Sequence, residues 1–538
     1  MLPLYPSLLP YPTEMLEVAL ITALVLLADQ WEWLRTAMRR VPARDVYWLA
    51  GWCVLGLVLR LHGGVRVPGW INNHGYEYLN TVLNSDLDGV EFHGNGNYAL
   101  HRLALIVLPS NETAVLAVQL VCSVLTIPTI YAVSRLWLGT RDGALASAAI
   151  AAVLPSFVFY AMTEERLVGG TFFLLVALVA VGIAVRERGF KTWIAAGALG
   201  AFAASFQPFL LIFPFAVALL LLSNADGRRA LSSSASWCAF AVFLFLSVDT
   251  IFLALSNISL NRGPSTMAVS ALRAPWKAFV PTANLQGDAA GNTFAHADFT
   301  PPPFLWLAVA SVLAGIARRA HLPLLAVAVI VAVLTIIGAV PSRMNSARLQ
   351  LPAHAFYTLL AGDGLGLCSA GLRTLVPAAP VLAGGALVVI ASVAVWSGPI
   401  GMDFAPQLER RVALDGRGVV SRGCEILIPA IPGARGPDYL TPTVPWRVVS
   451  DQSLPSDAAC FVYFRPARCF DVQDGPAAAE RTDGLRADCA AIERRLALTP
   501  LFVRLVAARA DYSQRYLKDQ IELGYFRVQM PRADGGRS

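Results

Sequence analysis

Residues 70–102 read WINNHGYEYLNTVLNSDLDGVEFHGNGNYALHR, a dense polar segment in an otherwise hydrophobic chain. The segment contains two His-Gly pairs and four acidic residues, namely His74-Gly75, His93-Gly94, Glu77, Asp86, Asp88 and Glu91. A loop that only connects two helices does not need this density of Asn, His, Gly and acidic side chains. We therefore predict that residues 70–102 form the floor of an active site that faces away from the cytoplasm.

The composition around this segment indicates a polytopic membrane protein. The 538 residues are 56% hydrophobic and only 14% charged, with a mean hydropathy of +0.57, whereas soluble domains carry about 25% charged residues. The net charge of +6 lies largely in short loops between apolar runs, where basic residues set membrane topology. The positive charge is therefore no argument for a nucleic-acid partner, and we expect none.

Apolar length and flanking charge predict about twelve transmembrane helices. The predicted spans are 15–34, 46–62, 113–134, 144–162, 168–185, 192–206, 209–222, 235–257, 303–317, 322–340, 351–369 and 375–397. Every strongly basic short loop then falls on one side, which the positive-inside rule assigns to the cytoplasm. Both termini are consequently expected outside. No basic residue precedes the first span, so we expect an anchor rather than a cleaved signal peptide.

The charge pattern divides the chain into three predicted regions: an extra transmembrane helix with a cytoplasmic loop (1–45), a transmembrane domain with outer loops at 63–112 and 258–302 (46–397), and an extracytoplasmic soluble domain (398–538). The 42 basic residues include only three lysines. This bias is typical of GC-rich bacterial genes, so we expect a multi-pass protein of the bacterial inner membrane.

The soluble domain is predicted to be of α/β or α+β type. Strand-like runs occur at 424–429 and 460–464, and helix-like patterns at 485–509 and 511–522. The region contains four cysteines, Cys424, Cys460, Cys469 and Cys489. In an oxidising compartment they could form two disulfides, and four free thiols are the alternative. No CxxC pair is present, so the spacing is a poor match to a zinc site.

The layout of residues 46–397 resembles that of the GT-C glycosyltransferases, particularly their family-39-like and aminoarabinose-transferase-like branch. An early polar outer loop follows a helix ending in Leu59-Arg60-Leu61. The stretch AVSRLWLGTRDGALASAAIAAVLPSFVFYAMTEERL (132–167) follows, then a Gln207-Pro208 turn and a late outer turn ending at 347–352. The resemblance implies an α-helical GT-C-like membrane domain.

The resemblance also implies an activity, the transfer of a sugar from a polyprenyl-phosphate donor to a cell-envelope glycan or lipid acceptor at the outer face of the inner membrane. The expected partners are the lipid-linked sugar, membrane lipid and the acceptor. Family members often carry an acidic pair where this chain has His74-Gly75, before Tyr78. The alternatives are therefore a transporter or flippase for a lipid-linked glycan and a non-catalytic relative that acts in envelope assembly.

Sugar transfer from a lipid phosphate needs a base that positions and deprotonates the acceptor, which a carboxylate or a histidine can provide. The first candidate is Glu77 and the second is His74. Glu164 and Glu165 occupy the shortest outer turn and could point across the cavity. For all four, the alternative is a structural role in capping a helix, forming a salt bridge or packing a polar loop.

The donor phosphate needs cationic donors, a role that suits arginine. The candidate substrate-binding residues are His93, Asp86, Asp88, Arg343, Arg348 and Lys277. Lipid-headgroup contact is the alternative for the basic residues, and a turn in SDLDG is the alternative for the two aspartates. A divalent metal is a further candidate, although the spacing does not identify its ligands. Asp249 and Asp363 lie inside predicted helices, where acids are costly and often functional; helix packing is their alternative.

Overall fold

A computed structural model gives the fold. It describes residues 4–5, 7–30, 41–66, 90–91, 94–109, 112–163, 165–187, 189–259, 301–318, 322–338, 349–375, 385, 389, 392, 412–413, 415–421, 423–429, 446–450, 453–454, 460–466, 469, 471–472, 489–507, 515–516 and 520–529. The chain forms two compact units. We call Met1–Val65 with Ser85–Gly401 the helical unit, and Arg66–Asn84 with Met402–Ser538 the sheet unit.

Fifteen α-helices are described in the helical unit. They are α1 (Pro12–Ala28), α2 (Ala43–Arg66), α3 (Gly96–Leu105), α4 (Glu112–Trp137), α5 (Arg141–Val153), α6 (Pro155–Phe159), α7 (Leu167–Glu187), α8 (Phe190–Ala204), α9 (Phe213–Leu222), α10 (Ala225–Leu231), α11 (Ser234–Leu246), α12 (Val248–Ser259), α13 (Pro302–Ala317), α14 (Leu322–Gly338) and α15 (Leu351–Leu375). A 3₁₀ turn, Pro208–Ile212, joins α8 to α9. The short strands β1 (Leu4–Tyr5) and β2 (Val90–Glu91) pair antiparallel.

Small residues allow helices of this unit to approach one another closely. A Cβ placed on Gly362 of α15 would lie 2.1 Å from the Ser147 hydroxyl of α5, and one on Gly366 would lie 2.7 Å from the Gly143 nitrogen. Such close approach through small residues is typical of helix packing in membranes. The Ala- and Gly-rich composition of the segment 141–153 is therefore explained by its contact with α15.

The described helices overlap every predicted span up to residue 369. Among the described residues, however, only Thr113–Trp137 and Leu167–Glu187 are single helices both long and apolar enough to cross a membrane. The bent pair α10–α11, with an angle of 68°, adds a third if it counts as one span. The expected number of about twelve is thus not confirmed. The predicted outer loop 63–112 also contains an unexpected helix, α3.

The sheet unit contains a five-stranded mixed sheet of order β4-β3-β5-β9-β7. Its strands are β3 (Glu425–Pro429), β4 (Trp446–Val449), β5 (Phe461–Arg465), β7 (Ala497–Ala507) and β9 (Gln520–Gln529). β3 pairs in parallel with β4 and β5, and β9 pairs antiparallel with β5 and β7. A further pair, β6 (Asp471–Val472) with β8 (Arg515–Tyr516), is antiparallel.

Both faces of the central strands are buried, which explains their continuous apolar sequences. Ile426, Ile428 and Val462 pack on one face, and Leu427 and Tyr463 pack on the other. The strand-like runs at 424–429 and 460–464 are therefore confirmed. The sheet also confirms a small domain of mixed structure in the tail.

The predicted helices at 485–509 and 511–522 are wrong where the structure describes strands, at 497–507, 515–516 and 520–522. Only residues 489–495 of the first are described as helical, and 497–507 and 520–529 form the long hairpin of β7 and β9. Residues 499–506, TPLFVRLV, are rich in β-branched and aromatic types, which favour strands. Pairing along β9 then decides the structure, because ten of the eleven residues of β7 gain a partner that the sequence window does not contain.

The four tail cysteines form two disulfides, Cys424–Cys460 and Cys469–Cys489. The first pair is set by strand register, because Glu425 and Phe461 are directly paired in the parallel ladder and each cysteine immediately precedes its strand. The expectation of two disulfides is confirmed, and the structure adds which cysteines pair. Cys53, Cys122, Cys238 and Cys368 are free.

Candidate active site

Polar side chains gather at one end of the helical unit, which we call the polar end and define by Asn95, Asn97, His101 and Ser205. The chain enters it through Gly94, whose φ of +102° suits glycine. The Gly96 N–H donates to the Ser205 carbonyl at 2.9 Å, and a Cβ on Gly96 would lie 2.3 Å from the Ser205 hydroxyl. The HGNG sequence therefore permits α3 to begin directly against the end of α8.

Helix α3 buries a short polar row. Asn97 and His101 lie one turn apart and are fully buried. The Gln119 amide of α4 donates to Asn97 Oδ1 at 3.2 Å. The Asn97 amide nitrogen and Gln119 Oε1 are buried without a partner within the described part of the chain. One donor and one acceptor at this contact are therefore left for water or a ligand to satisfy.

His101 has carbonyls against both ring nitrogens. Nδ1 lies 2.7 Å from the Asn97 carbonyl and Nε2 lies 3.3 Å from the Val115 carbonyl. Burial lowers the pKa of His101 to about 4 despite these carbonyls, which act in the opposite direction. The imidazole is consequently neutral near pH 7, and the shorter contact assigns its single proton to Nδ1. A neutral, enclosed imidazole suits a positioning role better than proton exchange with solvent.

Helix α1 and the segment before it cover α3. Arg102 forms ion pairs with Glu14 at 2.9 Å and Glu17 at 3.1 Å, and the Asn95 amide donates to the Thr13 hydroxyl at 3.1 Å. Further along the chain, the Asp249 carboxylate accepts from the Ser7 hydroxyl and from the Leu8 N–H at 2.6 Å. Asp249, one of the two acids expected from the sequence to lie inside membrane helices, therefore anchors the N-terminal segment. It also lines a small cavity together with Asn95 and Ser205.

Glu165 is the one predicted catalytic residue within the described parts of the chain. It is buried in the turn between α6 and α7, where its carboxylate accepts from the Leu167 N–H at 3.0 Å and its own N–H donates to the Thr163 hydroxyl at 3.3 Å. An acceptor at this position caps the first turn of α7. The start of α7 also lies against α3, since a Cβ on Gly169 would lie 3.4 Å from Leu100. Glu165 thus borders the polar end.

Arg60, from the LRL that ends the second predicted span, is fully buried near the polar end. Its guanidinium donates to the Ser123 hydroxyl at 2.8 Å and to the Gly56, Ala152 and Ala151 carbonyls at 3.0–3.1 Å. All four of these partners are neutral groups. Because Pro155 has no N–H, it cannot pair with the Ala151 carbonyl four residues earlier. Arg60 therefore stabilises the break between α5 and α6, just before the Glu165 turn.

Asp363, the second acid expected to lie inside a membrane helix, contacts a different set of helices. Asp363 of α15 accepts from the Thr140 hydroxyl at 3.1 Å and from the Ser311 hydroxyl at 2.9 Å, joining α5, α13 and α15. Nearby, Asp45 is buried and holds Arg141 and Tyr131, and hydrogen bonding from Arg141 lowers the pKa of Asp45. These contacts indicate helix packing for Asp363, the alternative role foreseen from the sequence.

The other predicted site residues lie outside the described residues. They are Glu77, His74, Glu164, His93, Asp86, Asp88, Arg343, Arg348 and Lys277. Four further residues of this region were not predicted from the sequence as site residues: Asn97, His101, Gln119 and Arg60. The i, i+4 spacing of Asn97 and His101 indicates that they share one face of a helix, but not that this face is buried. In the described residues, no group of three His, Cys, Asp or Glu side chains could hold a metal ion, so the divalent metal stays a prediction.

Comparison with known proteins locates this polar end within a recognised sequence region. The family model for dolichyl-phosphate-mannose-protein mannosyltransferase matches residues 96–251. The match begins at the first residue of α3 and extends to Asp249 and the start of α12. It therefore includes most of the polar end. A search of curated protein sequences finds no match.

Solved structures are similar over much more of the chain. ArnT from Cupriavidus metallidurans, bound to undecaprenyl phosphate, is 12% identical with a TM-score of 0.51, covering 89% of this chain and 97% of ArnT. The apo form of ArnT gives a TM-score of 0.50. The apo oligosaccharyltransferase from Archaeoglobus fulgidus is 13% identical with a TM-score of 0.50, covering 82% of this chain and 69% of that protein. The chain therefore has the fold of the GT-C superfamily glycosyltransferases.

Proposed function

We propose that the protein is a glycosyltransferase that takes a sugar from a polyprenyl-phosphate donor and passes it to a cell-envelope glycan or lipid at the outer face of a bacterial inner membrane. The observation that carries the proposal is the similarity to ArnT bound to undecaprenyl phosphate, over 89% of this chain and 97% of ArnT. A donor of this kind suits a helical fold, because an apolar tail can lie between membrane helices while its phosphate reaches the polar end.

The position of the polar end supports the proposal. Glu165 provides a buried carboxylate beside α3, where the predicted polar segment 70–102 returns to the helical unit. Glu77 and His74 are the proposed bases from that segment, and Glu164 belongs to the same turn as Glu165. A carboxylate in this region would accept the proton of the acceptor hydroxyl or amine as the bond to the sugar forms.

The developing charge on the departing lipid phosphate needs compensation. We assign this role to Arg343, Arg348 and Lys277, with His93, Asp86 and Asp88 holding the sugar or acceptor. Arginine suits phosphate because its planar guanidinium donates through two parallel N–H groups. These assignments rest on residue type and on the predicted outer location of the loops.

The two tail disulfides support the proposed orientation. Disulfides persist in oxidising compartments and are rare in the cytosol, and the tail contains Cys424–Cys460 and Cys469–Cys489. We therefore propose that residues 398–538 lie outside the cytoplasm, on the side of the predicted outer loops. There the sheet unit could bind the acceptor or a partner protein. In the same proposal, residues 1–45 are an extra helix and loop preceding the GT-C-like domain 46–397.

The direct test is sugar transfer in proteoliposomes. Purified protein is supplied with a radiolabelled undecaprenyl-phosphate sugar and with envelope lipid extracts, and release of undecaprenyl phosphate is followed. Glu77→Gln and Arg348→Ala are expected to lower turnover by about 10²–10³-fold, the range found for groups that act on the transition state. Glu91→Gln, in the same polar segment, and Arg318→Ala, at an exposed helix end, are the matched controls.

The same preparation separates the alternatives. A flippase would move the labelled lipid between leaflets without releasing its sugar, and a non-catalytic relative would do neither. If undecaprenyl phosphate is released by wild-type protein but Glu77→Gln and Arg348→Ala retain full turnover, the site assignment fails while the activity stands. If folded wild-type protein releases no carrier with any polyprenyl-phosphate sugar tested, the proposed function is wrong.

A further inference from the structure

A second feature of the helical unit lies away from the polar end. Helices α7, α8, α9 and α11 enclose an apolar cavity of about 380 Å³, within the range of roughly 300–1,000 Å³ typical of small-molecule sites. Its walls include Val181, Trp193 and Phe213, and Ser236 supplies a rare polar group. Three large apolar side chains of the lining are exposed: Trp237 (62%), Phe215 (44%) and Phe240 (38%). The cavity is therefore open to the side, where a membrane helix meets lipid.

Basic residues lie next to one end of this cavity. Leu231, the last residue of α10, lines the cavity, whereas Arg228 and Arg229 of the same helix are exposed. The axes of α10 and α11 meet at 68°. Helix α10 therefore runs across the direction of α11, as a helix at a membrane surface does. Arg186, at the end of α7, interacts electrostatically with Asp226 of α10. This end thus combines exposed guanidinium groups with the mouth of an apolar cavity.

Among the described residues, neither exposed arginine has a strong ion pair. Arg229 lies 3.8 Å from Asp226, with both side chains about three-quarters exposed, and Arg228 donates to the Leu222 carbonyl at 3.0 Å. Exposed pairs of this kind contribute little. Both guanidinium groups therefore keep donors for an anion at the surface.

We propose that this cavity binds one acyl chain of an anionic phospholipid whose headgroup phosphate lies against Arg228 and Arg229. Charge complementarity selects the headgroup, because clusters of basic residues beside membrane helices attract anionic lipid. The apolar walls select a hydrocarbon chain, which enters from the bilayer through the opening beside Trp237. The occupant is a structural lipid of the leaflet on the basic side, which the positive-inside rule makes the cytoplasmic leaflet.

The position of the cavity argues against the sugar donor as its occupant. Trp193 lies at the start of α8, and Ser205 of the polar end directly follows that helix. The rise of 1.5 Å per residue places them about 18 Å apart along the axis. A phosphate held by Arg228 and Arg229 would therefore lie at the wrong end of the helices to react at the polar end.

Native mass spectrometry of the full-length protein tests the proposal. Protein is equilibrated with vesicles of equal phosphatidylglycerol and phosphatidylcholine, and retained lipid is identified. Wild-type protein is expected to retain phosphatidylglycerol. Ala218→Trp, which fills the cavity lining, should abolish retention. Arg228→Gln with Arg229→Gln should weaken binding about thirty-fold, because each basic residue near an anionic surface contributes about fivefold.

Matched substitutions on α13 provide the controls. Ala310→Trp adds the same bulk at an exposed alanine, and Arg318→Gln removes an exposed arginine at the end of that helix; both should retain lipid normally. The double arginine variant changes only exposed side chains, so it is informative even if Ala218→Trp does not fold. Equal retention of phosphatidylcholine, or unchanged retention in the double arginine variant, would overturn the proposal. The proposal would also be wrong if undecaprenyl phosphate displaced phosphatidylglycerol from the wild-type protein and Ala218→Trp prevented undecaprenyl phosphate from binding. None of these readouts depends on transferase activity.

Discussion

Arg60 donates to the Ala151 carbonyl at 3.1 Å, across the boundary between α2 and α5. Within α5 that carbonyl would accept from residue 155, but Pro155 has no N–H to give. The broken helix therefore exposes an acceptor, and a fully buried arginine on another helix satisfies it. The contact stabilises the break at Pro155, ten residues before Glu165 in the chain.

We expect Arg60→Met to destabilise the protein by about 3 kcal/mol, because it leaves the Ala151 and Ala152 carbonyls buried without a partner. Pro155→Ala restores an N–H opposite Ala151. In that background the penalty of Arg60→Met should fall by about 1 kcal/mol. The free energy of unfolding is measured in mixed micelles with increasing dodecyl sulfate. The wild-type protein, the two single variants and the double variant form a double-mutant cycle. Strictly additive penalties would show that Arg60 and Pro155 are not coupled.

Substitutions at Glu165 separate capping from catalysis. Glu165→Gln keeps an acceptor for the Leu167 N–H, so stability should change by less than about 0.5 kcal/mol, whereas Glu165→Ala should lose about 1 kcal/mol. If the carboxylate also acts as a base, Glu165→Gln should lower turnover by about 10²-fold or more. Glu187→Gln, at the opposite end of α7, is the control. Full activity in Glu165→Gln would restrict this residue to capping.

His101 should make stability depend on pH. Its pKa is about 4 in the folded protein against 6.5 for an unperturbed histidine, so below pH 6.5 the unfolded chain binds a proton that the folded protein does not. The neutral side chain therefore contributes fully above pH 6.5, and up to about 3 kcal/mol is lost as the pH falls to 4. Other groups titrate in this window, so the measurement is the difference between wild-type protein and His101→Gln. If the difference in the free energy of unfolding between wild-type protein and His101→Gln does not change with pH, the lowered pKa of His101 is contradicted.

Peptide mapping without reduction should recover Cys424 linked to Cys460 and Cys469 linked to Cys489. Cys238 and Cys368, which are free and exposed, should react with maleimide before reduction. Replacing Cys424 and Cys460 by serine should destabilise the sheet unit by about 3–4 kcal/mol, since the bond closes a separation of 36 residues. Any other pairing, or four reactive tail thiols, would count against both the fold of the tail and its proposed location.

Local patterns predicted the helical unit well because burial in a membrane leaves a strong signal. The apolar run at 144–162 was expected to be one helix, and it does lie along α5 and α6. The break at Pro155 was not expected, since a proline within an apolar run gives no indication of what satisfies the freed carbonyl. In the tail, the pattern at 485–509 suggested a helix, and pairing with β9 made residues 497–507 a strand.

The candidate site was foreseen less completely. Glu165 was selected as an acid in a short outer turn, and the structure places it beside α3. His101 and Asn97 went unnoticed because nothing in the composition of residues 70–102 distinguishes a buried histidine from an exposed one. Their burial depends on α4 covering that face of α3, a contact between segments that no local pattern records.

The sequence by itself determined that this is a membrane protein with helices along the predicted apolar runs up to residue 369, and that its tail contains strands and enough cysteines for two disulfides. These properties follow from apolar length, charge and residue type, which act locally. Only the tertiary structure decided that Arg60 caps Ala151, that His101 is neutral and enclosed, and that Cys424 pairs with Cys460. Each of these depends on which distant segments meet, because burial and register are set by contacts between elements rather than within them.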